Sequence, residues 1–167
     1  MCRRYRLRSG VARTGALMKI SLHNRQRAVK VDARRLQKIA RLALAKILGE
    51  WLDADASLAA LREVEVTLVD DASISEIHRQ FFNDPTPTDV ISFDHGEILI
   101  SAETALANAA RYRTTPENEI ALYIIHGLLH INGYGDKSPA AAAKMSRTQK
   151  KILASCLRQV RGDADPR

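Results

Sequence analysis

Residues 126–136, HGLLHINGYGD, constrain the fold of this chain more than any other segment. His126 and His130 are four residues apart in an apolar run with helical spacing, so a helix places both on one face, with Cβ atoms about 5–6 Å apart. Two imidazoles in this arrangement can bind one metal ion, as they do in zinc-binding helices. The segment therefore predicts a core helix that carries a metal site on one face.

A third ligand is available just after this predicted helix. Gly133 lets the chain reverse direction, so the carboxylate of Asp136 can return to the same ion. Two nitrogens and one carboxylate leave a fourth position for water or substrate, as in catalytic zinc sites. The alternative is a pair of structural core histidines followed by a turn aspartate that bonds its own backbone. That alternative requires hydrogen-bond partners for four buried ring nitrogens, so metal binding is the favoured interpretation.

Length and composition indicate one domain with a hydrophobic core. The chain has 167 residues, of which 46% are apolar. No apolar run approaches the roughly 20 residues that a membrane span needs. Cys2 and Cys156 are the only cysteines, too few for a disulfide framework. We expect a cytoplasmic protein with neither a membrane nor a disulfide-linked partner.

Positive charge is concentrated in the first part of the chain. Residues 18–48 carry nine lysines and arginines against one acid, whereas residues 49–167 carry 12 basic and 18 acidic residues. This asymmetry favours a polyanionic partner such as nucleic acid. A basic stripe of Arg34, Lys38 and Arg41 on a predicted helix could contact phosphates. An ordinary solvated basic face is the alternative.

Hydrophobic periodicity and capping signals predict alternating strands and helices. The predicted strands cover residues 19–23, 63–69, 89–93 and 97–101, with a further extended piece at 28–31. The predicted helices cover residues 33–48, 73–82, 102–111, 116–132 and 139–157. Asp32 and Thr115 are predicted N-caps, and Ser73 with Glu76 forms a capping box that opens the second helix.

The predicted class is α+β: a small mixed sheet of about four strands packed with about five helices, with the metal site on a core helix. Residues 18–158 are predicted to form one domain. Residues 1–17 are expected to be a basic, disordered leader or the product of a misassigned start, with Met18 as the alternative start. Residues 159–167 are expected to be a frayed tail.

Three segments, taken in order and at their separations, resemble the YbeY family of bacterial rRNA maturation factors, which are described as metal-dependent single-strand endoribonucleases. They are PTDVISF at residues 87–93, GEILIS at 96–101 and HGLLHINGY at 126–134. The resemblance runs from about residue 18 to the last predicted helix. It implies a mixed sheet of about four strands, one bound zinc per chain, single-stranded and ribosomal RNA as partners, and a role in small-subunit rRNA 3′-end processing and ribosome quality control.

The chain departs from the family pattern at the third metal ligand. The family motif usually continues into Asp-His, whereas this chain has Gly135 and Asp136. The resemblance therefore implies His126 and His130 directly, and Asp136 by substitution. A carboxylate lowers the charge of a zinc site from +2 to +1, so harder ions such as manganese compete better for the site. Nickel is a further alternative to zinc. His95 is an alternative third ligand or a simple turn residue.

A second departure concerns catalysis. Many family members carry an arginine where this chain has Phe82, and Arg79, one helical turn earlier, either substitutes for it or faces solvent. No residue stands out as a general base, so the catalytic residues stay unassigned.

Three functions are compatible with this pattern. The first is an endoribonuclease that uses metal-assisted phosphodiester hydrolysis. The second is a non-catalytic ribosome-assembly factor with a structural metal. The third is a zinc peptidase, against which Gly127 counts, because HExxH metalloproteases have their general-base glutamate at that position.

Overall fold

The computed structural model describes residues 18–162, which form four strands, six α-helices and one π-helical turn. The strands are β1 (Lys19–Asn24), β2 (Glu63–Val69), β3 (Val90–Ser92) and β4 (Glu97–Ser101). The helices are α1 (Ala33–Lys46), α2 (Ser57–Ala60), α3 (Asp71–Phe82), α4 (Ala102–Tyr112), α5 (Pro116–Ile131) and α6 (Pro139–Gly162), and the π-helical turn Ile47–Trp51 follows α1.

The four strands form one mixed sheet in the order β1-β2-β4-β3. β2 pairs in parallel with β1 and β4, so Val66 lies opposite both Leu22 and Ile98, and only β3 runs antiparallel. The alternation in β2 produces two faces: Val64 is fully buried and Glu65 is exposed. The predicted mixed sheet of about four strands, and with it the α+β class, is confirmed.

The two faces of the sheet are covered unequally. On one face, 25 buried residues from the sheet, α1, α5, α6 and neighbouring segments form the main hydrophobic cluster. On the other face, α3 covers a smaller cluster of four residues, namely Val69, Ile74, Ile91 and Leu99. Helix α5 lies in the main cluster, against α1, α4, α6, β3 and β4.

Helix α5 is fixed at its start by its cap and along its length by burial. The Thr115 side chain accepts a hydrogen bond from the Asn118 N–H at 3.2 Å, and Pro116 occupies the first turn, as predicted. The predicted core residues Ile120, Ile124, Leu128 and Leu129 are all fully buried. Burial on this scale gives the helix that carries His126 and His130 a rigid support.

Gly127 allows α5 to approach the sheet closely. A Cβ atom at this position would lie 2.9 Å from Cγ2 of Ile98 on β4, which is closer than carbon atoms pack. A side chain at this position would have to displace the side chain of Ile98. Glycine at position 127 therefore suits the close contact between α5 and β4.

Several predicted boundaries are wrong. Residues 28–31, predicted to be a further extended piece, do not join the sheet, because the buried Gln26 side chain bonds both the N–H and the C=O of Val29, each at 2.8 Å, in place of a sheet partner. The N-cap of α3 is Asp70, which accepts from the Ser73 N–H at 2.8 Å, so Ser73 lies inside the helix that it was predicted to open.

The chain ends and the short elements also differ from the prediction. Helix α6 continues to Gly162 rather than stopping at residue 157, and the short α2 was not predicted. The leader at residues 1–17 and the last part of the predicted tail, residues 163–167, lie outside the described residues.

No helix between residues 18 and 162 is long and apolar enough to cross a membrane. Cys156 is a free thiol in the core, where burial raises its pKa to about 11.

Candidate metal centre

The end of α5 brings three potential ligands together. The rings of His126 and His130 meet edge to face, with centroids 4.4 Å apart. Nε2 of His130 lies 3.3 Å from Oδ2 of Asp136, and Nε2 of His126 lies 3.9 Å from the same oxygen. One ligand atom from each residue lies within 4.8 Å of the others, close enough to surround one ion.

The remaining ring nitrogens are held by hydrogen bonds. Nδ1 of His126 lies 2.9 Å from Oε1 of Gln149 on α6, and Nδ1 of His130 lies 2.9 Å from the carbonyl oxygen of Tyr134. Because a carbonyl oxygen only accepts, each Nδ1 carries the proton and donates. Each Nε2 then presents a lone pair, which is the tautomer and orientation that hydrogen bonds to the other ring nitrogen impose on metal-binding histidines.

A tight reversal after α5 returns Asp136 to the histidines. Gly133 has φ +82°, a left-handed conformation that glycine adopts without strain, and the Tyr134 N–H bonds the Leu129 carbonyl at 2.9 Å. The buried Asn132 anchors this turn, because its side chain accepts from the Asp53 N–H at 3.0 Å and donates to the Trp51 carbonyl at 2.7 Å.

The donor set fits a transition metal. Two imidazole nitrogens and one carboxylate oxygen are the ligand types of catalytic zinc sites, and they leave a position for water or substrate. The side chains of His126, His130 and Asp136 are 23%, 29% and 44% exposed, so the three donors are open to solvent on one side. A purely structural centre would be closed by a fourth protein ligand.

A cleft of about 480 Å³ opens in front of these donors. Its opposite wall comes from α3, through His78 and Phe82, and from the segment around β3, which includes Asp89 and Asp94. Nδ1 of His78 lies 2.9 Å from the Thr86 carbonyl oxygen, and the His78 and Phe82 ring centroids are 5.4 Å apart. The cleft therefore combines carboxylates and aromatic rings around the candidate metal position.

The structure separates the two predicted candidates for the third ligand. His95 lies in the turn between β3 and β4, stacked on Phe93 at 5.3 Å and 3.4 Å from Oε2 of Glu97. His95 is not part of the group of His126, His130 and Asp136, whose potential ligand atoms lie together.

Neither the predicted arginine substitute nor the basic stripe reaches the cleft. Arg79 pairs with Glu76 on the surface of α3, with Nη2 2.6 Å from Oε1. Phe82 does line the cleft and is 57% exposed. Of the described residues that line the cleft, none comes from α1, which carries the basic stripe.

Sequence reasoning missed several residues around the donors. His78 has no partner pattern in the sequence, and Gln149 lies 23 residues from His126. The tertiary structure, and not their spacing in the sequence, brings these two side chains to the site. Asp89 carried a signal, because it lies within the PTDVISF segment, but its place beside His126 could not be read from that segment.

The fold and the donor geometry define a small α+β protein with an open histidine–carboxylate centre at the end of a core helix. Residues 21–157 match the family model described as Endoribonuclease YbeY, and the chain belongs to this family.

Relatives named Endoribonuclease YbeY support this membership. The protein of Moorella thermoacetica is 33% identical over 156 residues, covering 82% of this chain and 96% of the relative. That of Syntrophus aciditrophicus is 32% identical over 153 residues, covering 81% and 88%. That of Rhodopirellula baltica is 42% identical over 96 residues, covering 52% and 50%. The solution structure of TM1509 from Thermotoga maritima, 24% identical, covers 88% of this chain and 96% of its own with a TM-score of 0.59, and shows the fold.

Proposed function

We propose that this protein is a metal-dependent endoribonuclease that cuts single-stranded RNA. Family membership supports the reaction class, since the relatives bear the name endoribonuclease. One observation carries the proposal for this chain: two Nε2 lone pairs and the Asp136 carboxylate converge at a cleft that is open to substrate.

His126, His130 and Asp136 would hold one zinc ion per chain, with manganese as a stronger competitor than at an all-histidine site. When bound, such an ion polarises a phosphodiester oxygen or makes hydroxide available at neutral pH. The chain's own part is to orient the donors: Gln149 and the Tyr134 carbonyl keep the protons on Nδ1. Asp89 and Asp94 in the cleft wall are carboxylates that can accept a proton from the attacking group.

Exposed aromatic rings on α3, of which Phe82 lines the cleft, support an unpaired RNA strand as substrate. Phe81 and Phe82 are 64% and 57% exposed, and the Phe81 ring packs against Phe93 with centroids 5.1 Å apart. Unpaired bases can stack on such rings. The bases of a duplex are already stacked on one another inside the double helix, so their faces are not accessible. In this chain, stacking on Phe82 would take the place of the charge contact that an arginine makes.

We further propose a cytoplasmic role in maturing the 3′ end of small-subunit rRNA and in ribosome quality control, with the small ribosomal subunit as partner. The family resemblance supports this role, and so does the excess of basic residues at 18–48, which suits a phosphate backbone. Residues 18–158 would carry the activity as one domain, in keeping with the family match at 21–157.

The decisive experiment compares His126→Ala with His95→Ala. Metal content is measured by mass spectrometry of protein prepared without chelators, and cleavage is measured on a single-stranded RNA. We expect His126→Ala to lose the metal and at least about 100-fold in cleavage rate, since even losing a residue that only hydrogen-bonds to a metal ligand costs about 10–100-fold. His95→Ala should retain both.

The alternative outcomes separate the other two functions. Wild-type protein that binds metal but cuts no RNA, while His126→Ala lowers its melting temperature, would favour an assembly factor with a structural metal. Cleavage of unfolded protein without RNA affinity would favour a peptidase, although Gly127 replaces the usual general-base glutamate and lies close to the Ile98 side chain.

A further inference from the structure

A second cavity, of about 570 Å³, shares a wall with the metal cleft. Helices α4, α5 and α6 enclose it, and His126 and Asp89 line both spaces. A group held in this cavity therefore lies next to whatever is bound at the candidate metal centre. Its volume is in the range of pockets that hold small organic groups.

The apolar part of the lining suits a flat ring. Tyr112 at the end of α4 is 57% exposed, and Leu122 and Leu153 contribute aliphatic surface. Tyr123, deeper in the wall, accepts a hydrogen bond from Asn108 Nδ2 at 2.8 Å. Burial raises the pKa of Tyr123 to about 12, so its ring stays uncharged at neutral pH.

The polar part of the lining is rich in acceptors. Oδ1 of Asn118 is buried and has no hydrogen-bond partner within the described part of the chain. Glu119, 6% exposed, accepts a hydrogen bond from the Thr114 hydroxyl and retains further acceptor capacity as a carboxylate. A buried acceptor without a donor is unfavourable, so the cavity is suited to a ligand that brings N–H groups.

Charge excludes a phosphate from the interior of the cavity. Asp89 and Glu119 are carboxylates in its wall, while Lys150, the one basic residue among its described lining residues, is exposed. Outside the cavity, the Arg111 guanidinium lies 5.4 Å from the Tyr112 ring centroid. Neutral, donor-bearing rings are therefore favoured inside, and anions are favoured outside.

We propose that this cavity binds one unpaired nucleobase of the RNA strand whose neighbouring phosphate lies at the metal centre. This inference rests on the proposed function and adds a specificity site to it. Bases with an exocyclic amino group should bind better than uracil, because cytosine, adenine and guanine present N–H₂ donors to Asn118 and Glu119. Uracil presents carbonyl oxygens in the corresponding positions, which the carboxylate repels.

The first test is an abasic scan. A single-stranded RNA with one mapped cut is made with an abasic nucleotide at each position around the cut, and binding is measured by fluorescence anisotropy alongside cleavage. We expect one adjacent position to lose about tenfold in affinity when its base is removed, as for a stacked base. Replacing cytosine by uracil at that position should weaken binding by a smaller factor.

The second test uses variants of the cavity wall. Tyr112→Ala should remove most of the abasic penalty, whereas Leu106→Ala, an exposed residue of the same helix outside the lining, should leave it unchanged. Asn118→Leu removes the orphan acceptor and should abolish the preference for cytosine over uracil. Asn118→Asp retains an acceptor and should preserve that preference, which separates recognition from a loss of folding.

The outcomes distinguish this inference from the proposed function. The nucleobase site is overturned, and the endoribonuclease is not, if RNA is cleaved but no abasic position lowers the affinity. The same holds if the loss of affinity is unchanged in Tyr112→Ala. Binding that shows the penalty without any cleavage supports the base site and overturns the enzyme. Absence of RNA binding overturns both.

Discussion

The two faces of the sheet differ in how deeply they are packed, and the candidate site lies between them. The face that carries α5 belongs to a cluster of 25 buried residues, whereas the α3 face has four. All three potential metal ligands come from α5 and the turn that follows it. Across the cleft, α3 contributes exposed rings that include Phe82.

This difference in packing suits the different requirements of metal coordination and RNA recognition. Metal coordination requires donors held to within a fraction of an ångström, which deep packing supplies. Recognition of a flexible single strand requires accessible aromatic surface, which a lightly covered face can expose. In the proposed function, the heavily packed face would carry the metal centre, and the lightly packed face would offer surface to the substrate.

The largest expected difference is in stability and compares Ile124→Ala with Ile74→Ala. Both side chains are fully buried, one in each cluster. We expect a loss of about 4 kcal/mol for Ile124→Ala and about 2 kcal/mol for Ile74→Ala, because the smaller cluster can collapse around the cavity more easily. Urea denaturation measures both. Equal losses, or a larger loss at Ile74, would contradict the unequal roles of the two faces.

An intermediate effect is expected where α6 supports the histidines. Gln149→Ala removes the acceptor for Nδ1 of His126 and should weaken zinc affinity by about 10–100-fold. Gln159→Ala, an exposed glutamine on the same helix, is the matched control. Competition with a chromophoric chelator measures affinity. Unchanged affinity in Gln149→Ala would show that packing alone orients the ring.

The smallest effect is expected on the surface of α3. Hydrogen bonds from Arg79 and Gln80 lower the pKa of Glu76 from 4.5 to about 2. A lowered folded-state pKa means that the charged form stabilises the fold above about pH 4.5, and that this contribution disappears as the pH falls towards 2. Glu76→Gln should lower the melting temperature slightly at pH 7, with a difference that narrows in acid. A difference that widens in acid would contradict this sign.

The sequence predicted the regular elements well because their signals are local. The alternation in β2 and the helical spacing of Ile120, Ile124 and Leu128 each come from neighbouring residues, and both elements are confirmed. Two departures from the prediction arose where a side chain competed with the expected pattern. Gln26 satisfies the Val29 backbone, and Asp70 takes the capping role expected of Ser73.

For the candidate site, the sequence by itself determined the histidine pair, because a four-residue interval in a helix fixes which side chains share a face. It also determined that the chain reverses after Gly133, where a left-handed conformation is required. Only the tertiary structure decided that Asp136 rather than His95 lies beside the pair, that Gln149 bonds to His126, and that a second cavity adjoins the cleft. These features join side chains from different elements, and their distances are set by how the helices pack on the sheet rather than by any local spacing.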